Sequence, residues 1–443
     1  TGGNNTAIGR SALTNNTEGS SNVAIGRVAL NALTNGSQNV AVGSEALEKF
    51  STGNNNTAVG FQALEETTTG TKNTAVGSIS LDANTTGENN TAVGYDTLGL
   101  STTADSNTAL GYEALDTNTT GSYNVAVGAG ALDGNTTANN NVAVGKHALL
   151  VNSTGTQNVA VGTDALDANT TANNNTAVGY QALSANTEGT RNVAIGSSSL
   201  DANTTADDNT AVGHEALTSN TTAHDNTAIG RQSLFNNTTG TGNTAIGKDA
   251  SRQNTTAGNN TSVGYQALYA TTTGGANTAV GHTALTGNTT GHSNCAVGVD
   301  ALDSNTEGSE NTAVGRNALE GNTTANNNTA VGFGALKVNN AGGNTAVGHQ
   351  ALQANTSGSG NIALGKNSLL SNTTGAQNVA IGQNALDANV GANDNVAIGH
   401  EALGANTSGT RNVAVGANAL DAITTGTNCT AVGMDALTAN TAS

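Results

Sequence analysis

Asn175-Thr176-Ala177-Val178-Gly179-Tyr180-Gln181-Ala182-Leu183-Ser184-Ala185-Asn186-Thr187-Glu188-Gly189-Thr190-Arg191 is followed at once by Asn192-Val193-Ala194-Ile195-Gly196, the same pentad again. The interval from Asn175 to Asn192 is the period of the chain. The pentad glycine recurs at Gly9, Gly26, Gly43, Gly60 and onward to Gly433, 26 copies in a chain of 443 residues. The step from Gly332 to Gly348 is one position shorter than the rest. Self-similarity at a fixed period is the mark of stacked repeats. No gap or shift in composition interrupts the series, so a single uninterrupted repeat domain is expected over 1–443. The chain opens inside the pattern at Thr1, without Met. It therefore reads as a fragment or mature part of a longer protein.

We number each repeat from the pentad Asn (position 1) to the residue before the next pentad (position 17). Position 1 is Asn except at Cys429. Position 2 is Thr or Val except at Cys295 and Ile362, and position 3 is Ala except at Ser262. Position 4 is Val, Ile or Leu throughout, position 5 is Gly, and position 9 is Leu except at Ser251. Position 12 is usually Asn, with Leu33, Phe50 and Ile423 among the exceptions. β-Branched residues at positions 2 and 4, a fixed Gly and an Asn-Thr-Thr run disfavour helix and favour strands and turns. One repeat cannot bury its few aliphatic side chains alone, so repeats must stack.

The expected fold is all-β: a parallel β-solenoid, or β-roll, of 26 coils, each a 17-residue unit. A strand is expected at positions 2–4, a bend at the Gly, a second short strand from positions 8 and 9, and a return turn over 12–17. Stacking at about 4.8 Å would give a rod of roughly 120 Å. Identical residues then align in rows. Rows 4 and 9 are expected to be buried and aliphatic. Rows 1 and 12 are expected to form amide ladders. Which strand face points inward stays open. Either the small residues at 1, 3 and 5 fill a narrow interior, or positions 2 and 4 do. Both arrangements leave a face for another chain.

Composition narrows function. The chain has no Pro, no Trp, ten aromatic residues (6 Tyr and 4 Phe) and 58 Gly. Its net charge of −18 repels phosphate, which argues against a nucleic-acid partner. No apolar run of the length needed for a membrane helix occurs, so no membrane insertion of this segment is expected.

The pentads Asn22-Val-Ala-Ile-Gly26 and Asn192-Val-Ala-Ile-Gly196 resemble the Ser-Val-Ala-Ile-Gly head repeats of trimeric autotransporter adhesins. The phrase from Asn175 to Leu183 is similar to repeats of bacterial and phage tail-fibre-like proteins. The resemblance covers the whole chain and implies a left-handed β-roll, a homotrimer, and an extracellular, cell-surface or virion-appendage location. The repeat here is longer than most adhesin head repeats, and the resemblance names no receptor.

Candidate chemistry is sparse. Position 6 holds six of the ten aromatic residues: Phe61, Tyr95, Tyr112, Tyr180, Tyr265 and Phe333. They read first as large residues covering the neighbouring coil, and second as a surface-contact row for glycans or a host surface. Positions 7 and 10 hold 20 of the 31 carboxylates, and position 6 holds 7 of the 13 cations. This reads as a solvated charged edge of weak pairs, or, less directly, as a weak calcium edge. His214, His282, His349 and His400 share position 6 but never in adjacent coils, so metal binding is not expected. Cys295 and Cys429 lie eight coils apart, too far for an intrachain disulfide in a straight stack. Asn-Thr-Thr at positions 12–14 is a glycosylation sequon in about half the coils, although turn chemistry alone accounts for it. No catalytic constellation, cofactor loop or metal motif stands out.

The expectation is therefore a non-enzymatic structural segment, shaft or head, of an extracellular fibre or adhesin that self-associates. The alternative is an ice-binding solenoid built on regular Thr rows, or a weak calcium- or glycan-binding surface protein.

Overall fold

A computed structural model describes residues 2–439. The described residues carry one three-residue strand per repeat, 26 in all, and no helix. The chain divides into two compact units, Thr1–His224 and Asp225–Ser443. The first holds β1 (Thr6–Ile8) through β13 (Thr210–Val212), and the second β14 (Thr227–Ile229) through β26 (Thr430–Val432). Within each unit successive strands pair parallel and in register. Ala160 faces Ala143 and Ala177 in the first unit, and Ala313 faces Ala296 and Ala330 in the second. Each unit is a parallel β-solenoid, as the period predicts.

The coil interior settles which strand face is inside. Asn175, Ala177, Ala182, Leu183 and Asn186 are all fully buried. The same holds for rows 1, 3, 8, 9 and 12 through most of both units. Row 4 corrects the expectation of a buried aliphatic row. Val178 is only half-buried, and Ile195 is 40% exposed. Side chains alternate across a strand, so once Ala at position 3 faces in, positions 2 and 4 face out. The interior takes Ala and an amide, not a pair of β-branched side chains.

The second strand expected at positions 8 and 9 is absent. Its place is taken by turns in which φ turns positive at every other residue. Gln181 has φ 51° and Leu183 φ 56°, and the same sign recurs at position 9 in every coil. The N–H of Ala182 donates to the Gly179 carbonyl at 3.4 Å, and that of Asn186 to Leu183 at 3.3 Å. The positive φ at Gln181, the third residue of the first of these turns, gives it type II geometry. The alternation points successive amides at opposite neighbours. The N–H of Gln181 donates to Thr163 of the preceding coil at 3.1 Å, and that of Leu183 to Ser199 of the following coil at 3.0 Å. A left-handed Leu costs about 1–3 kcal/mol. Full burial of its side chain returns about 1.5–3 kcal/mol, and its amide is bonded as well.

Two positions explain the fixed letters of the repeat. At position 5, Gly179 has φ 140°, and a Cβ there would lie 2.6 Å from the carbonyl carbon and oxygen of Gly196. No other residue fits. At position 1, the Asn side chain serves two coils. Asn124 Nδ2 donates to the Ala138 carbonyl of its own coil at 2.9 Å. Its Oδ1 accepts the backbone N–H of Asn141, in the next coil, at 3.0 Å. Row 12 forms a second ladder, with Asn135 Nδ2 donating to Asn118 Oδ1 at 2.8 Å and to the Ala138 carbonyl at 3.2 Å. Both ladders were expected, but they differ in consequence. Row 1 satisfies a backbone N–H, whereas row 12 bonds mainly to itself and one carbonyl. That is why Leu33, Phe50 and Ile423, all fully buried, replace Asn in row 12, and no aliphatic or aromatic residue enters row 1.

Removing a row 1 amide strands a buried N–H and weakens a buried carbonyl, at about 1–3 kcal/mol for each unsatisfied group. Asn124→Ala is expected to lower the urea midpoint, followed by circular dichroism, clearly more than Asn135→Leu. Equal losses at the two rows would contradict the unequal roles assigned here.

Candidate functional site

Row 6 projects from the corner after the pentad glycine. The structure does not assemble the six aromatic residues into one platform. Only Tyr95 and Tyr112 meet, with ring centroids 5.7 Å apart and planes 11° from parallel. Tyr265 stacks instead on His282 at 5.2 Å, with Lys248 Nζ 5.4 Å from its ring centre. Phe333 stacks on His349 at 5.2 Å. Phe61 and Tyr180 stand in coils whose row 6 neighbours are Ser44 and Ser78, and Thr163 and Ser197. All six are 40–54% exposed. The in-register stack brings row 6 neighbours together, so stacking follows wherever two flat side chains occupy successive coils. The two histidines among these partners act as rings against rings.

Rows 7 and 10 lie on the turn segment and converge between coils. At Gly99, which has no side chain in row 10, a Cβ would lie 2.4 Å from Asp96 Oδ1 and 2.5 Å from Asp116 Oδ1. The missing side chain gives two carboxyl groups room to meet. The edge is less solvated than its composition suggests. Partial burial, aided by the neighbouring Asp96 charge, pushes the Asp116 carboxyl up to about 7 and that of Asp82 to about 6. Burial also raises Asp133, Asp167, Asp303 and Asp387 above their ordinary value. The expectation of a freely solvated edge needs this correction. Row 10 faces the body of the turn, and the sequence offers acids there without an equal number of cations.

Where cations are present, they are used. Arg27 pairs with Glu45, and Lys49 with Glu66. Lys337 Nζ lies 3.4 Å from Glu320, and Arg191 Nε 2.6 Å from Asp208. Among the described residues, one group of three metal-ligating side chains has atoms within 4.8 Å of one another: Glu45, Glu48 and Glu65. Its charge is already met in part by Arg27 on Glu45 and by Lys49, which opposes the upward shift that burial gives Glu65. Cys295 and Cys429 are both free thiols and half-buried. Cys295 lies in β18 (Cys295–Val297), on the outward face.

That outward face is the feature the repeat's letters understated. Rows 2 and 4 contain only Thr, Val, Ile, Leu and Cys in all 26 coils, with no charged residue. Leu110, Ile195, Ile229 and Leu364 are 38–48% exposed along it. The signal was available in row 3: an unbroken Ala or Ser row is what a narrow interior requires. The two Thr rows of the turn differ. Thr85 Oγ1 of row 13 donates to the Thr102 carbonyl at 2.9 Å, so that hydroxyl ties coils together. Thr86 of row 14 is exposed.

No family model matches the chain, and no curated protein matches it significantly. Among the described residues, no helix is long and apolar enough to cross a membrane.

The carboxylate edge makes stability depend on pH. The folded chain holds the Asp116 and Asp82 protons more tightly than an unfolded chain with its ordinary carboxyl value of 3.8. Their contribution is therefore present at low pH and is lost as pH rises through about 6–7. Asp116→Asn is expected to raise the melting temperature at pH 8 and to change it little at pH 4, as read by calorimetry. A lowered melting temperature at pH 8 would overturn the assignment.

Proposed function

We propose that this chain is a structural segment, shaft or head, of an extracellular or virion-borne fibre, and that copies associate through the strand face formed by rows 2 and 4. The observation that carries the reading is the uncharged, β-branched outward face, repeated coil after coil within each unit. Row 2 is Thr in 15 of the 26 coils, but row 4 is aliphatic in every one, and a continuous row of partly exposed aliphatic side chains marks a contact face. Summed over one unit, the two rows offer on the order of 1,000 Å², against about 800 Å² per partner in a standard specific interface. Elsewhere exposed apolar side chains such as Leu100, Val151 and the row 6 aromatics are interspersed with charged and polar residues. The resemblance of the pentads to trimeric adhesin heads favours three copies, related by the closed symmetry usual for homo-oligomers. Uniform coils supply length and repetition, which a fibre needs and an enzyme's single cleft does not.

Analytical ultracentrifugation tests this directly. The chain is expected to sediment as a trimer. The combined row 4 variant Val144→Lys, Val161→Lys and Val178→Lys is expected to sediment as a monomer with unchanged circular dichroism. A monomeric unsubstituted chain would remove the reading. If that monomer also showed thermal hysteresis in ice growth, rows 2 and 4 would instead be an ice-binding face.

A further inference from the structure

Two rows of the repeat begin most of the chain's Asn-x-Thr sequons, and the fold treats them oppositely. The conspicuous one begins at row 12, as in Asn84-Thr85-Thr86, Asn118-Thr119-Thr120 and Asn203-Thr204-Thr205. The second begins at row 17 and runs across the repeat boundary, as in Asn55-Asn56-Thr57, Asn89-Asn90-Thr91, Asn174-Asn175-Thr176, Asn259-Asn260-Thr261 and Asn327-Asn328-Thr329.

In N-glycosyl transfer the attacking atom is the amide Nδ2. At row 12 that atom is inside the solenoid and engaged. Asn118 Nδ2 donates to the Gly121 carbonyl at 2.9 Å. Asn203 Nδ2 donates to Asn186 Oδ1 at 2.9 Å and to the Ala206 carbonyl at 3.1 Å. Asn84, Asn118 and Asn203 are fully buried. A sugar on any of them would displace the coil interior and break the ladder.

At row 17 the geometry reverses. Asn55, Asn89, Asn174, Asn259 and Asn327 are all exposed. Each has φ between 60° and 62°, the left-handed conformation that asparagine tolerates best among non-glycine residues. Each lies just before the strand, outside the ladder. The sequon threonines Thr57, Thr91, Thr176, Thr261 and Thr329 sit in row 2, half-buried on the outward side of the strand. The buried Asn between them is the row 1 amide, whose side chain a sequon does not require.

We infer that the row 17 asparagines are the chain's acceptor sites for N-linked sugar, and that the row 12 sequons are closed by folding. The donor is an activated sugar diphosphate, of the nucleotide or polyprenyl class. Nδ2 attacks the sugar C1, a C–N bond forms, the C1–O bond to the diphosphate breaks, and the amide loses one proton. The diphosphate leaves with the bonding electron pair. No oxidant or metal-bound group of this chain is required. The sequon threonines stand in row 2, the face assigned above to contact between copies, so the inference concerns the folded chain before copies associate.

The test uses the folded chain, diluted until ultracentrifugation finds it monomeric, with a soluble N-glucosyltransferase that modifies Asn-x-Thr and UDP-glucose, and sites are mapped by peptide mass spectrometry. One hexose is expected at each of several row 17 asparagines and none at row 12. The urea-unfolded chain, diluted into the same reaction, is expected to add row 12 sites such as Asn84. In the variant Thr91→Val the hexose at Asn89 is expected to fall to background while circular dichroism is unchanged, because Val is native to row 2. Hexose at row 12 of the native chain would overturn the inference. So would a native chain unmodified at row 17 under conditions where the unfolded chain is modified there.

Discussion

The row 1 asparagine is the constraint around which the coil is built. A buried backbone N–H must have a partner, and here the partner is a side chain from the neighbouring coil rather than a strand carbonyl. The same amide then reaches across its own coil to a turn carbonyl, as Asn192 Nδ2 does to Ala206 at 2.8 Å. One residue thereby fixes coil-to-coil register and coil diameter together. The short repeat shows how firm this is. With one residue fewer, the Asn344 N–H still donates to Asn328 Oδ1 at 3.0 Å, and the Asn339 and Asn344 side chains both donate to the Ala341 carbonyl at 2.8 and 3.1 Å. The return turn absorbs the deletion and the rung to the next coil is kept, but Asn328 Nδ2 loses its reach across the shortened coil and is buried without a partner.

Other features follow from the narrow interior that this ladder defines. Ala in rows 3 and 8 and a single Leu in row 9 are nearly all the apolar volume a coil holds. A core this thin cannot stabilise a whole coil by burial alone, so backbone and amide bonds between coils carry much of the cohesion. The backbone accepts left-handed leucines because the alternating turn directs successive amides to both neighbours. The carboxylates of row 10 are drawn partly under the turn, and their raised protonation is the electrostatic consequence. Rows 2 and 4 are pushed outward, where they give each unit a strand face of Thr and aliphatic side chains without any charged interruption.

The repeat made much of this legible. Coil length, strand position, the two amide ladders and the buried Leu row were all readable from letters that hardly vary, because each is a local demand repeated at one position. Two things were not. The inward direction of the Ala face depends on how wide the coil closes, which no single repeat states. The turn that replaces a second strand depends on positive φ at positions 7 and 9, where side chains as unlike Gly as Val28 and Leu30 are found. The candidate site was legible in part: row 6 could be read as one row, but only Tyr95 and Tyr112 have a fellow aromatic from that row in the next coil.

The sequence by itself determined the period, the parallel stacking and the residues that must recur, because a repeated local hydrogen-bonding need leaves a repeated letter. Only the tertiary structure decided which asparagines are buried donors and which are exposed, and which β-branched rows face water. Those outcomes depend on where the backbone travels between one coil and the next, and two asparagines five positions apart can look alike in sequence while lying on opposite sides of that path.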